Sequence, residues 1–313
     1  MESQDKPEEA VPHAPQTRPA PHGLQTQPAP STPQHAAPST PARMLEAAAT
    51  LGLARLDAQL LLLHALSRGA GERAWLLAHD GDPQPEAIWP SYLALCRRRA
   101  EGEPVAYLVG EKEFHGLALR VDARVLVPRP DTETLVDWAL ECLAGRETPS
   151  VLDLGTGSGA IALAIAHRRP DARVAAVDAS ADALEVARAN AQRLGLAVHF
   201  RHADWLAGAP AGLDLIVSNP PYVAAGDAHL AALAHEPQQA LVAGADGLDD
   251  IRRIVRDAPP QLAPGGWLLL EHGHDQAPAV RRLLAARGFE AVQSRDDLAG
   301  IARCSGGFWP QVK

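Results

Sequence analysis

The chain has 313 residues, a net charge of −9 and 46% hydrophobic residues, enough for about two domains of roughly 100–200 residues each, with a sizeable core. The acidic balance argues against a broad grip on nucleic acid, which needs clustered Lys and Arg. No apolar run reaches the roughly 18 residues of a membrane span, the N-terminus lacks a basic-then-apolar leader, and Cys96, Cys142 and Cys304 make neither a disulfide framework nor a metal-ligand pattern, as expected of a cytoplasmic protein.

Residues 1–42 hold ten of the 27 prolines, mixed with Gln, Ala, Ser and Thr. Such a segment buries too little apolar surface to offset its ordering entropy and is predicted to be a disordered tail. From Met44 to about Arg99 the apolar spacing is helical: Leu53 to His64 carries a thick apolar face and Ala87 to Arg99 repeats it. Asp80-Gly-Asp-Pro83 is a turn between helices. This predicts a small helical domain over 43–103, marginal alone and so expected to pack on its neighbour. Val105–Gly110 and Leu117–Val127 are β-prone and bracket Phe114-His-Gly116, which predicts a hairpin linker over 104–130. It ends at Pro128-Arg-Pro130, where Asp131 is expected to cap a helix running to about Leu143.

From Val151 onward short apolar strands alternate with amphipathic helices. Strands are expected at Val151–Leu154, Val174–Val177, Val198–Arg201, Leu213–Ser218 and Trp267–Leu270, and helices at Ala160–Arg168, Asp182–Leu194 and Pro278–Arg287. This alternation signals a doubly wound, mostly parallel α/β sheet, assigned to residues 131–313.

Four strand ends carry candidate chemistry. Asp153-Leu-Gly-Thr-Gly-Ser-Gly159 follows a strand and opens a helix. Its glycines let the backbone approach a ligand, and the helix N-terminus favours an anionic group. The spacing is G-x-G-x-G rather than the dinucleotide G-x-G-x-x-G. It resembles the first motif of the Rossmann-like S-adenosylmethionine methyltransferases, which implies that Gly155, Thr156, Gly157, Ser158 and Gly159 wrap the methionine end. Asp178, 25 residues after Asp153, ends the next strand, where a carboxylate can accept both ribose hydroxyls. Its other reading is a helix N-cap, a job Ser180 can fill instead. Asp204-Trp205 ends the third strand, with Asp204 placed for an adenine amino group and Trp205 either for the ring face or for core packing.

The most specific site is Asn219-Pro220-Pro221-Tyr222, after the strand Leu215–Ser218. An amide nitrogen is a poor nucleophile because its lone pair is delocalised. Two acceptors on its two N–H groups would hold it and localise charge during transfer. The Asn219 side-chain oxygen and the Pro220 carbonyl can be those acceptors, and Tyr222 can stack on a planar amide. Proline brings no competing N–H and stiffens the loop. Such catalysis works by positioning. The competing reading is a tight turn, since Asn-Pro marks turns.

Asn-Pro-Pro-Tyr is shared by amide methyltransferases and by methyltransferases acting on amino groups in nucleic acids. Glu103-Pro-Val-Ala-Tyr-Leu-Val-Gly110, Glu113-Phe-His-Gly116 and Val125-Leu-Val-Pro-Arg-Pro-Asp-Thr-Glu133 resemble the PrmC/HemK family of release-factor glutamine N5-methyltransferases. Further likenesses are Arg55–Leu62, Glu236-Pro237 with Ala240–Val242, Leu269–Gly273 and Arg295–Gly300, so the resemblance spans about residues 43–303. It implies a Rossmann-like domain joined by a β-hairpin to a helical domain that helps bind a release factor. It also implies that S-adenosylmethionine contacts Gly155–Gly159, Asp178, Trp205 and Asn219, and that Asn219–Tyr222 hold the glutamine of a Gly-Gly-Gln loop. Arg129–Glu133 would border the substrate pocket. A sister group methylating a ribosomal-protein glutamine tends to carry Arg-Ser-Pro-Ile here, so Arg129-Pro-Asp-Thr132 favours the release factor. The expected protein is a monomeric cytoplasmic enzyme, without metal and without direct nucleic-acid contact. The alternatives are action on a ribosomal-protein glutamine or on a nucleic-acid amino group. Two departures stand out: His235 replaces an aromatic residue before Glu236-Pro237, which points to altered loop packing, and Cys304–Trp309 replaces the usual last strand pattern.

Overall fold

The computed structural model describes residues 40–311. The expected tail lies outside the described residues up to position 39. Thr40 accepts from the Arg43 N–H and caps α1 (Pro41–Thr50), so the first helix starts just ahead of the expected boundary. Helices α2 (Arg55–Ala65), α3 (Arg73–Ala78) and α4 (Ile88–Ala100) follow. They bury Met44, Leu61, Leu62, Leu76, Tyr92 and Cys96 around one apolar centre. Tyr92 keeps its hydroxyl satisfied there by donating to Ala58 O at 3.2 Å.

The segment Val105–Val109, read above as β-prone, is instead a short helix, α5. Pro104 precedes it and Gly110 ends it at φ 76°. Tertiary packing overrides propensity here: Leu108 joins the helical core while Ala106 packs with Val121, Val125 and Val127. The hairpin itself is confined to β1 (Glu111–Phe114) and β2 (Leu117–Arg120). Asp131 does not cap the next helix. It lies 3.4 Å from Arg303 Nε, and α6 (Glu133–Cys142) starts without a side-chain cap.

The large sheet is built from β3 (Ser150–Leu154), β4 (Arg173–Asp178), β5 (His199–His202), β6 (Leu213–Ser218), β7 (Leu262–Glu271), β8 (Glu290–Asp296) and β9 (Ala302–Phe308). Its order is β5-β4-β3-β6-β7-β9-β8, parallel from β5 to β7 and antiparallel at β9 and β8. Helices α7 (Ala160–Arg168), α8 (Ala181–Leu194), α9 (Asp249–Asp257) and α10 (Ala277–Arg287) complete it. The pleat sorts the strand residues with period two. Val151, Leu215, Val217 and Leu269 face α6 and α7, whereas Leu152, Leu154, Ile216, Leu268 and Leu270 face α9 and α10.

The Cys304–Trp309 segment, an unfamiliar pattern in the sequence, supplies β9 between β7 and β8. A Cβ at Gly306 would lie 2.6 Å from Leu268 O and 3.1 Å from the Trp138 ring, so glycine is what lets the strand pack there. One buried side chain ties the hairpin to the sheet. Asn190 accepts from Arg120 N at 2.8 Å, and donates to Arg120 O at 3.0 Å and Ser158 O at 2.9 Å.

Candidate active site

Strands β5, β4, β3 and β6 lie side by side, so the four candidate strand ends meet at the carboxyl edge of the sheet, where open α/β sheets bind ligands. At the end of β3, Asp153 is fully buried and takes the Thr156 hydroxyl on Oδ2 at 2.6 Å. Its Oδ1 has no partner among the described residues. Burial pushes its carboxyl up to about 7, against the opposing effect of Thr156. Gly155 (φ 67°) has the Trp205 ring over it: a Cβ there would lie 3.2 Å from that ring.

Asp178 holds the loop from the next strand. Its Oδ2 accepts from Gly157 N at 2.9 Å and its Oδ1 from Ser180 N at 2.8 Å. The capping of α8 falls to Ser180, whose Oγ accepts from Ala183 N at 3.1 Å. Trp205 has a φ of 48° and donates from Nε1 to Asp250 Oδ1 at 3.2 Å. Asp204 is exposed and forked onto Arg253 at 3.0 and 2.6 Å. Gly155, Gly157, Asp178, Asp204, Trp205 and Asn219 line one cavity of about 280 Å³. Thr156 and Ser158 are buried, and neither they nor Gly159 line it. Gly159 serves the turn, since a Cβ there would be 2.9 Å from Leu163.

At the end of β6, Ser218 donates to Leu154 O at 2.7 Å and so registers the two loops. Asn219 turns its Nδ2 to Thr132 Oγ1 at 3.2 Å. Pro220 is buried and Pro221 faces the smaller cavity. Tyr222 faces a second cavity of about 980 Å³, which also touches α2, Arg129 and Glu236. Asn219 belongs to the walls of both cavities. The floor is braced by Arg129 on Glu236 at 2.5 Å and by Val127 N on the other Glu236 oxygen at 3.0 Å. His235 reaches back to Glu101 O at 3.1 Å, a loop contact. Among the described residues no cluster of His, Cys, Asp and Glu could hold a metal ion.

Four supporting contacts were missed in the sequence. Tyr222 donates to Glu271 Oε1 at 3.3 Å. Gln276 Nε2 donates to Tyr222 O at 3.0 Å. Thr132 and Asp250 brace Asn219 and Trp205. These partners lie 45 to 87 positions from the residues they support, so no spacing rule links them. Burial pushes the Tyr222 phenol upward, which keeps it neutral, and lifts the Glu271 carboxyl to about 7.

Asp153 and Glu271 therefore hold protons in the folded state that unfolded carboxyls, with pKa of about 3.9–4.3, release earlier. Their effect is fullest below pH ~4 and is lost as pH rises to about 7. Asp171 and Asp246, held at about 2 mainly by arginine hydrogen bonds, act in the opposite sense at lower pH. The melting temperature should fall between pH 5 and about 7.5, and Glu271→Gln should flatten the fall. A melting temperature independent of pH in both proteins would show that the two carboxyls remain ionised.

Comparisons with known proteins give consistent matches. The PrmC N-terminal domain model matches residues 42–110 and the Methyltransferase small domain model matches residues 134–286. The chain is similar to the release factor glutamine methyltransferase of Bordetella pertussis, at 53% identity over 261 residues, covering 82% of this chain and 96% of that protein. It is 50% identical over 283 residues to the release factor glutamine methyltransferase of Burkholderia pseudomallei, covering 87% and 97%. Among solved structures, the hMettl16 catalytic domain in complex with MAT2A 3'UTR hairpin 6 aligns with a TM-score of 0.52 at 15% identity. It covers 70% of this chain and 82% of that chain, a likeness of fold alone.

Proposed function

The chain belongs to the release factor glutamine methyltransferase family, and from that premise we infer that it transfers a methyl group from S-adenosylmethionine to the side-chain amide N5 of the glutamine in the Gly-Gly-Gln loop of a peptide-chain release factor. The observation that carries this reading is the place of Asn219, on the wall common to both cavities, with its Nδ2 engaged by Thr132.

The smaller cavity suits the cofactor. Gly155 lets the Trp205 ring close over the backbone, Asp178 brings a carboxylate to the rim, and Asp153 keeps an unpartnered buried oxygen behind the loop. Gly155, Gly157, Asp178 and Trp205 would hold S-adenosylmethionine, which when bound supplies a methyl group on a sulfonium, an electrophile that needs no metal. Thr156, Ser158 and Gly159 then act by shaping the turn. The larger cavity would take the target loop, with the helical residues 43–103 and the linker 104–130 presenting it to the catalytic residues 131–313.

The chain's own groups position the amide. The Asn219 Oδ1 and Pro220 carbonyl accept the two N–H groups of the target, and the Tyr222 ring covers its plane. Fixing nitrogen against methyl carbon converts a slow encounter into an aligned one. The bonds to both N–H groups favour the charge that builds on nitrogen as the new bond forms. No base is needed before attack, because the surplus proton becomes acidic only once the nitrogen is methylated. Among the described residues no helix is long and apolar enough to cross a membrane, and the working form is read as a cytoplasmic monomer.

Labelled cofactor tests the reading directly. Offered a release factor, ribosomal proteins, RNA and DNA separately, the enzyme should label the release factor. Changing the target glutamine to glutamate should remove the label, since a carboxylate has no nitrogen to accept it. Label on nucleic acid, or on the glutamate-substituted target, would overturn the assignment.

A further inference from the structure

The side-chain amide of Asn219 has an accepting end and a donating end of nearly equal size. Only one orientation serves the reaction. With its oxygen toward the target it accepts an N–H. With its nitrogen toward the target it sets two donors face to face. Something must therefore choose.

The nitrogen of Asn219 donates to Thr132 Oγ1 at 3.2 Å. A hydroxyl that accepts there still has one proton to place, and Thr132 is only 4% exposed. Beside it stands Glu271, 1% exposed, at the end of β7. Glu271 Oε2 has no hydrogen-bond partner among the described residues, while the nearby Thr132 and Tyr222 hydroxyls both favour its charged form. Glu271 Oε1 takes the Tyr222 hydroxyl. One buried carboxylate thus lies behind both arms of the Asn219–Tyr222 loop.

We propose that Thr132 and Glu271 are positioning residues that select the orientation of the Asn219 amide and turn its oxygen to the target nitrogen. The inference rests on the role given to Asn219 above. The Glu271 carboxylate draws the Thr132 proton toward itself, which leaves a Thr132 lone pair for the Asn219 NH₂. With Glu271 protonated, its O–H donates to Thr132, and the Thr132 proton is free to seek Asn219 Oδ1. That would flip the amide. The groups facing Glu271 are the hydroxyls of Thr132 and Tyr222, Asp131 ahead of α6, and Arg303 and Cys304 on β9. The ionised carboxylate is the competent form, so kcat should rise with pH through the neutral range.

The test uses the full chain with a release factor and labelled cofactor. Thr132→Val keeps the shape and removes the hydroxyl. It should lower kcat about 10–50-fold while the KM for cofactor stays within about 3-fold, as for a lost positioning contact. Thr132→Ser, which restores the hydroxyl, should return kcat to within about 3-fold. In an Asn219→Ala background Thr132→Val should cost at most about 2-fold more, because the contact it supports is already gone. Glu271→Gln offers one oxygen to two hydroxyls. It should lower kcat about 3–10-fold and flatten the pH dependence, and it carries the test if Thr132→Val does not fold. Equal losses from Thr132→Val in both backgrounds, or a pH profile unchanged by Glu271→Gln, would overturn the proposal. If the parent chain labels the release factor and Thr132→Val labels it at full rate, this inference fails alone. A parent chain that leaves the release factor unlabelled removes the reading of Asn219 and this inference with it.

Discussion

Asn219→Ala should lower kcat for release-factor methylation by about 10²–10³-fold, the scale of removing one preorganised polar group from a transition state. The substitution deletes the side-chain acceptor and leaves the Pro220 carbonyl and Tyr222 in place. Asn219 borders the cofactor cavity as well as the larger one, so some loss of cofactor affinity is expected. It should be much smaller than the loss in kcat, because Gly155, Gly157 and Asp178 remain. Asn219→Asp is a weaker test, since it keeps an acceptor while adding charge beside a cationic cofactor. Rapid-quench measurements at saturating cofactor separate the two effects. Full activity in Asn219→Ala would sink the amide-positioning mechanism.

Asp178→Ala should weaken S-adenosylmethionine binding about 10–150-fold, or about 1.5–3 kcal/mol, as for hydrogen bonds to a charged group. The structure adds a second reason for the loss. Asp178 also holds the Gly157 and Ser180 N–H groups, so its removal frees the turn that carries the glycines. Ser180 still caps α8, and the helix itself should persist. Titration calorimetry reads the affinity, and a melting curve without cofactor reads the fold. Unchanged affinity would show that Asp178 serves only the turn.

The two results bear on different parts of what the sequence disclosed. The Gly155–Gly159 run, Asp178 and Asn219–Tyr222 were legible because each sits at a strand-to-helix or strand-to-loop junction, where local spacing and residue type carry the signal. The expected strands and helices from Ser150 to Leu194 lie within about a residue of their observed ends, because apolar alternation and period-3.6 faces are local properties. The expectation for Val105–Val109 failed for the same physical reason that makes it useful. Its Val and Tyr favour a strand, but its burial between two apolar clusters, with Pro104 before it and Gly110 after it, is decided by neighbours distant in sequence. The last strand was hidden because Gly306 and Gly307 lack β propensity and are needed only where other strands press against them.

Alone, the sequence determined the order of the catalytic motifs, the α/β alternation that sets them at one sheet edge, and the family to which the chain belongs. Those follow from patterns within a few residues of one another. Only the tertiary structure decided which side of the Gly155–Gly159 turn faces a cavity and which side is packed. It also decided that Ser180 rather than Asp178 caps α8, and that Asn219 stands where two cavities meet. It alone brought Thr132, Glu271 and Gln276 behind the Asn219–Tyr222 loop. Side-chain hydrogen bonds have a reach of about 3 Å in space and no defined reach along the chain. The partners that orient a catalytic group are therefore chosen by the fold of the whole domain.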